Sequence, residues 1–75
     1  METIRFMWKD DTSGTGDCPA IYQAPGGYYV QGQRVTAAKV RARLGELGAA
    51  HDSGLGDGED YLFVPANVID RIRDL

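Results

Sequence analysis

The sequence is short of cysteine, histidine and positive charge, and each shortage closes off chemistry. Cys18 is the only cysteine, so neither an intramolecular disulfide nor a four-cysteine metal centre can form. His51 is likewise single, and a metal is not expected. A formal net charge of −3 argues against general affinity for nucleic acid, which needs a net basic face against the phosphates. No apolar run approaches the length of a membrane span. The opening Met1-Glu-Thr-Ile4 lacks a basic region followed by an apolar one, so no secretory leader is expected, and the cytoplasm is the expected location. There is no internal repeat and no linker long enough to divide the chain into domains.

Size restricts function further. A chain of 75 residues is expected to form a single domain, residues 1–75, burying roughly 60% of the surface its unfolded form exposes. One small core leaves little for a deep reaction pocket, which favours a binding face over a catalytic cleft.

What is present centres on Cys18-Pro-Ala-Ile-Tyr-Gln-Ala-Pro-Gly-Gly-Tyr-Tyr-Val-Gln-Gly32. Two strand-forming runs, Ala20 to Gln23 and Tyr28 to Gln31, flank Pro25-Gly26-Gly27, which reads as the turn of a β-hairpin. With Pro25 and Gly26 central, Tyr22 falls opposite Tyr29 and Ile21 opposite Val30, an aromatic pair on one face and an aliphatic pair on the other. A Gly26-Gly27 turn would lose that match.

Before the hairpin, Thr3 to Trp8 alternates, with Ile4, Phe6 and Trp8 predicted on one face of a strand. Asp10 to Asp17 has no apolar residue and reads as a surface loop. After the hairpin, Thr36 is the expected N-cap of a helix carrying Ala37, Val40, Leu44 and Leu47 on one stripe, with Gly48 as its stop. A glycine-rich acidic loop from Ala49 to Glu59 leads to a last strand, Tyr61 to Val64. Pro65 then opens a short helix with Val68, Ile69, Ile72 and Leu75 as its apolar stripe. The expected fold is α+β, a small three- to four-stranded mainly antiparallel sheet packed by two helices, in the order β-β-β-α-β-α.

Several constellations invite a chemical reading. Cys18 and His51 are a nucleophile and base in residue type only; no local signature surrounds the thiol, and a small core residue and a solvated histidine are the simpler reading. The acids of Asp52 to Asp60, and Asp10, Asp11 and Asp17, lack the spacing of a calcium loop. Gly14-Thr-Gly-Asp17 has no Gly-Lys-Ser/Thr to make a phosphate loop. No catalytic residue and no cofactor are expected.

The strongest candidates are a basic cluster, Arg34, Lys39, Arg41 and Arg43, and the hairpin tyrosines Tyr22, Tyr28 and Tyr29. An ordinary solvent face is the default for the cluster, and an acidic protein partner ranks ahead of DNA because of the net charge. Tyr28 and Tyr29 are adjacent, so alternation turns one of them away from whatever the other faces, and an exposed aromatic is a natural interface anchor. A free edge of the sheet could also pair with a second copy.

Trp8-Lys-Asp-Asp-Thr-Ser13, the Gly-rich polar stretch, Cys18, the hairpin and finally Leu62-Phe-Val-Pro-Ala66 at a helix start follow in an order that resembles small actinobacterial proteins of unknown function encoded beside Xre-type helix-turn-helix regulators. The resemblance spans both ends of the chain. It departs where Val30-Gln-Gly32 stands in place of the family's Arg-Asp-Ser, and Arg34 to Glu59 has the look of an insertion. It implies a regulatory protein that binds a partner, such as the helix-turn-helix regulator itself, with an antitoxin-like role and no established catalytic residue.

Overall fold

A computed structural model describes residues 3–12, 16 and 18–75. Ser13, Gly14, Thr15 and Asp17 lie outside the described residues, and with them most of the Asp10 to Asp17 loop and of the Gly14 to Asp17 motif. The fold is α+β: strands β1 (Arg5–Lys9), β2 (Ala20–Ala24), β3 (Gly27–Gln31) and β4 (Gln33–Arg34), helix α1 (Ala38–Ala50), strand β5 (Leu62–Phe63), helix α2 (Ala66–Asp70), and a closing 3-10 turn (Arg71–Asp74). β1, β2 and β3 form an antiparallel sheet in that order, and β4 pairs with β5. The two-residue β4 is an addition to the expected order. The chain divides into two compact units, Met1–Gln33 with Val64–Leu75, and Arg34–Phe63.

In the first unit the β2–β3 hairpin has the Pro25-Gly26 turn. Ala24 faces Gly27, Tyr22 faces Tyr29 and Ile21 faces Val30. Gly26 has φ +80°, the value required at the third residue of a type II turn, where a side chain would be strained. The expected register is the observed one.

β1 corrects one expectation. Its pairing with β2 runs from Phe6 opposite Tyr22 directly to Trp8 opposite Ile21, so Met7 is an extra residue in a β-bulge. Since Tyr22 and Ile21 point to opposite faces, Phe6 and Trp8 do too, and the predicted shared face of Ile4, Phe6 and Trp8 is broken. Trp8 joins the face of Ile21, which is fully buried, as is Val68 of α2. The Trp8 indole donates from Nε1 to the Val68 carbonyl at 2.8 Å, and the Arg71 guanidinium lies 5.9 Å from the indole ring centre. This is the face on which the C-terminal helical segment packs.

Asp10 corrects another. Read as part of a solvated acidic loop, it is instead buried. Its Oδ1 accepts from the Thr12 amide (3.0 Å), the Thr12 hydroxyl (2.9 Å) and Asn67 Nδ2 (2.9 Å), while its amide donates to the Pro19 carbonyl at 2.8 Å. Arg71 extends this network to Asn67 Oδ1, the Lys9 carbonyl and the Asp11 carboxylate. A charge can be buried here because hydrogen bonds replace its water.

The second unit is built on α1. Ala37 is the N-cap residue and no side chain caps the helix, so Thr36 lies one position outside. Nor does the helix stop at Gly48: it runs to Ala50 and closes in a Schellman motif, Ser53 N–H to Gly48 O (2.7 Å) and Asp52 N–H to Ala49 O (3.3 Å), with Asp52 at φ +57°. Gly48 is needed for a different reason, since a Cβ there would collide with the Ser53 carbonyl oxygen. At the C-terminus, Pro65 is the N-cap residue of α2 rather than its first helical position. Of the expected stripe only Val68 is buried; Ile69 and Leu75 are exposed.

Candidate functional site

The bulge at Met7 creates the surface of greatest chemical interest. By turning Trp8 inward it leaves Phe6 on the other face, opposite Tyr22, which itself faces Tyr29. Three aromatic rings therefore lie side by side across the three strands. Phe6 and Tyr22 meet edge to face, with ring centres 5.7 Å apart and planes at 71°. Tyr22 is half-buried, but Phe6 is 59% and Tyr29 49% exposed, so the row shows its rings to solvent.

The row is braced on its own face of the sheet, where Gln31 follows Tyr29 along β3. The Tyr22 hydroxyl donates to Gln31 Oε1 at 2.9 Å, and Gln31 Nε2 donates in turn to the Cys18 carbonyl at 2.9 Å. Aromatic rings on a braced sheet lose little freedom on docking, which makes them efficient interface anchors.

Of the three hairpin tyrosines, the structure groups Tyr22 with Tyr29 and separates Tyr28. Tyr28 faces Gln23 on the opposite side of the sheet and is also exposed. Phe6 is the member that sequence reasoning missed. Regular alternation ties it to Trp8, and nothing in the composition of β1 marks the bulge.

The basic cluster belongs to the second unit and is largely matched internally. Arg34 Nε lies 3.3 Å from Asp60 Oδ2, and Arg41 Nη1 lies 2.8 Å from Asp60 Oδ1. Arg43 pairs with Glu46 one helical turn on, at 3.1 Å. Arg41 also donates to the Val35 carbonyl (2.8 Å) and stands 5.5 Å from the Tyr61 ring centre. Its hydrogen bond, with that of the Tyr61 amide, holds the Asp60 carboxyl below the usual range. Lys39 is exposed and has no ion pair among the described residues. A helix whose arginines already face carboxylates has little positive potential left for phosphates.

Cys18 and His51 each have a local role. Cys18 is buried at the entry to β2, and its carbonyl accepts the Gln31 amide. His51 is the C-cap residue of α1, with Nδ1 2.9 Å from the Leu47 carbonyl. Beside Cys18 a depression of about 180 Å³ is lined by Pro19, Gln31, Gly32 and Gln33. Ligand pockets are typically at least about 300 Å³. Among the described residues, no three acidic, histidine or cysteine side chains gather as metal ligands, and no helix is long and apolar enough to cross a membrane.

With this geometry established, comparison with known proteins adds no relative: no family model matches the chain, and no curated protein or solved structure is significantly similar to it.

Proposed function

We propose that this chain is a non-enzymatic, cytoplasmic protein-binding module, a regulatory accessory protein whose docking face is the Phe6–Tyr22–Tyr29 row. One observation carries this reading: two of the three rings are about half exposed or more and stand side by side, in a chain whose buried apolar residues, among those described, are Cys18, Ala20, Ile21 and Val68. A small protein that leaves large aromatics in water loses their contribution to folding, and gains a surface that a partner can desolvate. The resemblance to proteins encoded beside helix-turn-helix regulators makes such a regulator the first partner to try.

A sheet bearing aromatic rings is also a way to stack nucleobases. That use needs a net supply of cations for the phosphates, whereas five of the eight, Arg34, Arg41, Arg43, Arg71 and Arg73, already face a carboxylate and the chain carries a net charge of −3. A protein partner is therefore the better reading.

The experiment compares the tagged chain with a Phe6→Ser/Tyr29→Ser variant, purified from the same cells. The native chain is expected to bring down a stoichiometric protein that the folded variant fails to hold. Equal recovery by both, with unchanged circular dichroism, would exclude the aromatic row as the docking face.

A further inference from the structure

We propose that β3 pairs antiparallel with β3 of a second copy of this chain, joining two three-stranded sheets into one. The inference comes from the contrast between the two edges of the sheet. β1 forms one edge and β3 the other. β1 carries the devices that keep an edge from pairing: a charged residue at each end, Arg5 and Lys9, and the bulge at Met7. β3 has none of them. Its sequence Gly-Tyr-Tyr-Val-Gln contains no charge and no proline, it pairs with β2 without interruption from Gly27 to Gln31, and all five residues are exposed.

Charge also selects the occupant. In a two-fold antiparallel pairing each strand meets its own sequence reversed. For β1 this would set Arg5 against Lys9 of the copy, a like-charge opposition that destabilises cross-strand pairs. For β3 no register brings two charges together, and the copy offers an uncharged edge of equal length. The pairing also brings together the Tyr29 ends of two aromatic rows. A five-residue edge gives a small interface, so the expected dimer is a weak one that forms by mass action.

The purified full chain is to be followed by sedimentation velocity from about 5 µM to about 500 µM, the range in which a weak dimer reveals itself by mass action. A reversible monomer–dimer equilibrium is expected. Tyr28→Lys, which arms β3 with a charge but leaves the Phe6–Tyr22–Tyr29 row untouched, should keep the chain monomeric over the whole range. Val40→Lys, on the exposed flank of α1, should leave the dimer intact. Hydrogen exchange of the native chain gives a readout that depends on no variant: amides of Gly27–Gln31 should gain protection on concentration, and those of Arg5–Lys9 should not. A chain that stays monomeric throughout, a dimer that survives Tyr28→Lys, or protection that rises elsewhere but not in β3 would each overturn the proposal. None of these outcomes touches the heterologous partner, since no other protein is present.

Discussion

Trp8 and Val68 are sixty residues apart, and the bond from the indole N–H to the Val68 carbonyl, 2.8 Å long, ties the first strand to the last helix. In a chain whose fully buried large side chains, among the described residues, are Ile21 and Val68, this bond adds a long-range tie to a small core. It also depends on the bulge at Met7, because a regular β1 would carry Trp8 to the other face together with Phe6.

Replacing Trp8 with phenylalanine should therefore destabilise the fold by about 1–2 kcal/mol, the sum of one part-buried hydrogen bond and a weakened contact with the Arg71 guanidinium. Urea unfolding followed by circular dichroism measures it. A cost near zero would mean that the bond contributes nothing beyond solvation of the free groups.

The Asp10 network sets an acid limit on stability. The Thr12 amide, then Asn67 Nδ2 and the Thr12 hydroxyl, hold its carboxyl below the usual 3.8, with Arg71 adding to the effect and burial opposing it. A carboxyl depressed in the folded state stabilises the fold above its unfolded pKa, and that contribution is lost as the pH falls through the folded value. As the pH falls below 3.8 the native chain should lose this contribution. Asp10→Asn should be less stable at pH 7 and lose less on acidification. Asp60, depressed by the Arg41 hydrogen bond and the Tyr61 amide, contributes with the same sign, so the variant's acid response shrinks without vanishing. Chemical unfolding at pH 7, 5 and 3 resolves the two.

The two helical glycines of α1 should respond in opposite directions. A Cβ at Gly45 meets nothing within 4 Å, so Gly45→Ala should stabilise the chain by roughly 0.5–1 kcal/mol through reduced backbone entropy. At Gly48 the new Cβ would strike the Ser53 carbonyl that the Schellman motif brings over the helix, so Gly48→Ala should destabilise. Thermal unfolding of both variants checks the pair. A gain at both positions would mean that the helix end is looser than its hydrogen bonds imply.

These cases mark what the sequence discloses and what it conceals. The hairpin was legible because Pro25-Gly26 and the Tyr22/Tyr29 match are local features that agree with each other. The aromatic row was only half legible. Tyr22 and Tyr29 follow from the hairpin, but Phe6 joins them through a bulge, and a bulge is fixed by how a strand meets its neighbour rather than by its own composition. Asp10 was concealed because its hydrogen-bond donor Asn67 is fifty-seven residues away, although Asp10-Asp-Thr12 carries the local signal of an Asx turn. The helix end was missed because its left-handed residue is Asp52, where glycine is the usual marker.

The arginines of the second unit give the last test, because similar charges are set in different surroundings. Arg41 has three interactions, with the Val35 carbonyl, the Asp60 carboxylate and the Tyr61 ring, and its side chain is 37% exposed. Arg34 and Arg43 have one carboxylate each and are 75% and 66% exposed. Exposed pairs are screened by water and salt, whereas an arginine that also satisfies a main-chain carbonyl leaves that group unpaired when it is removed. Arg41→Ala should lower the unfolding midpoint clearly, while Arg34→Ala and Arg43→Ala stay close to the native value. Arg41→Lys should recover only part of the loss: one nitrogen, Nη1, serves both the Val35 carbonyl and Asp60, which an ammonium can imitate, but a lysine cannot lay a planar guanidinium against the Tyr61 ring. Equal effects at all three positions would show that simple charge, and not the placement of Arg41, holds the loop around Asp60 against α1.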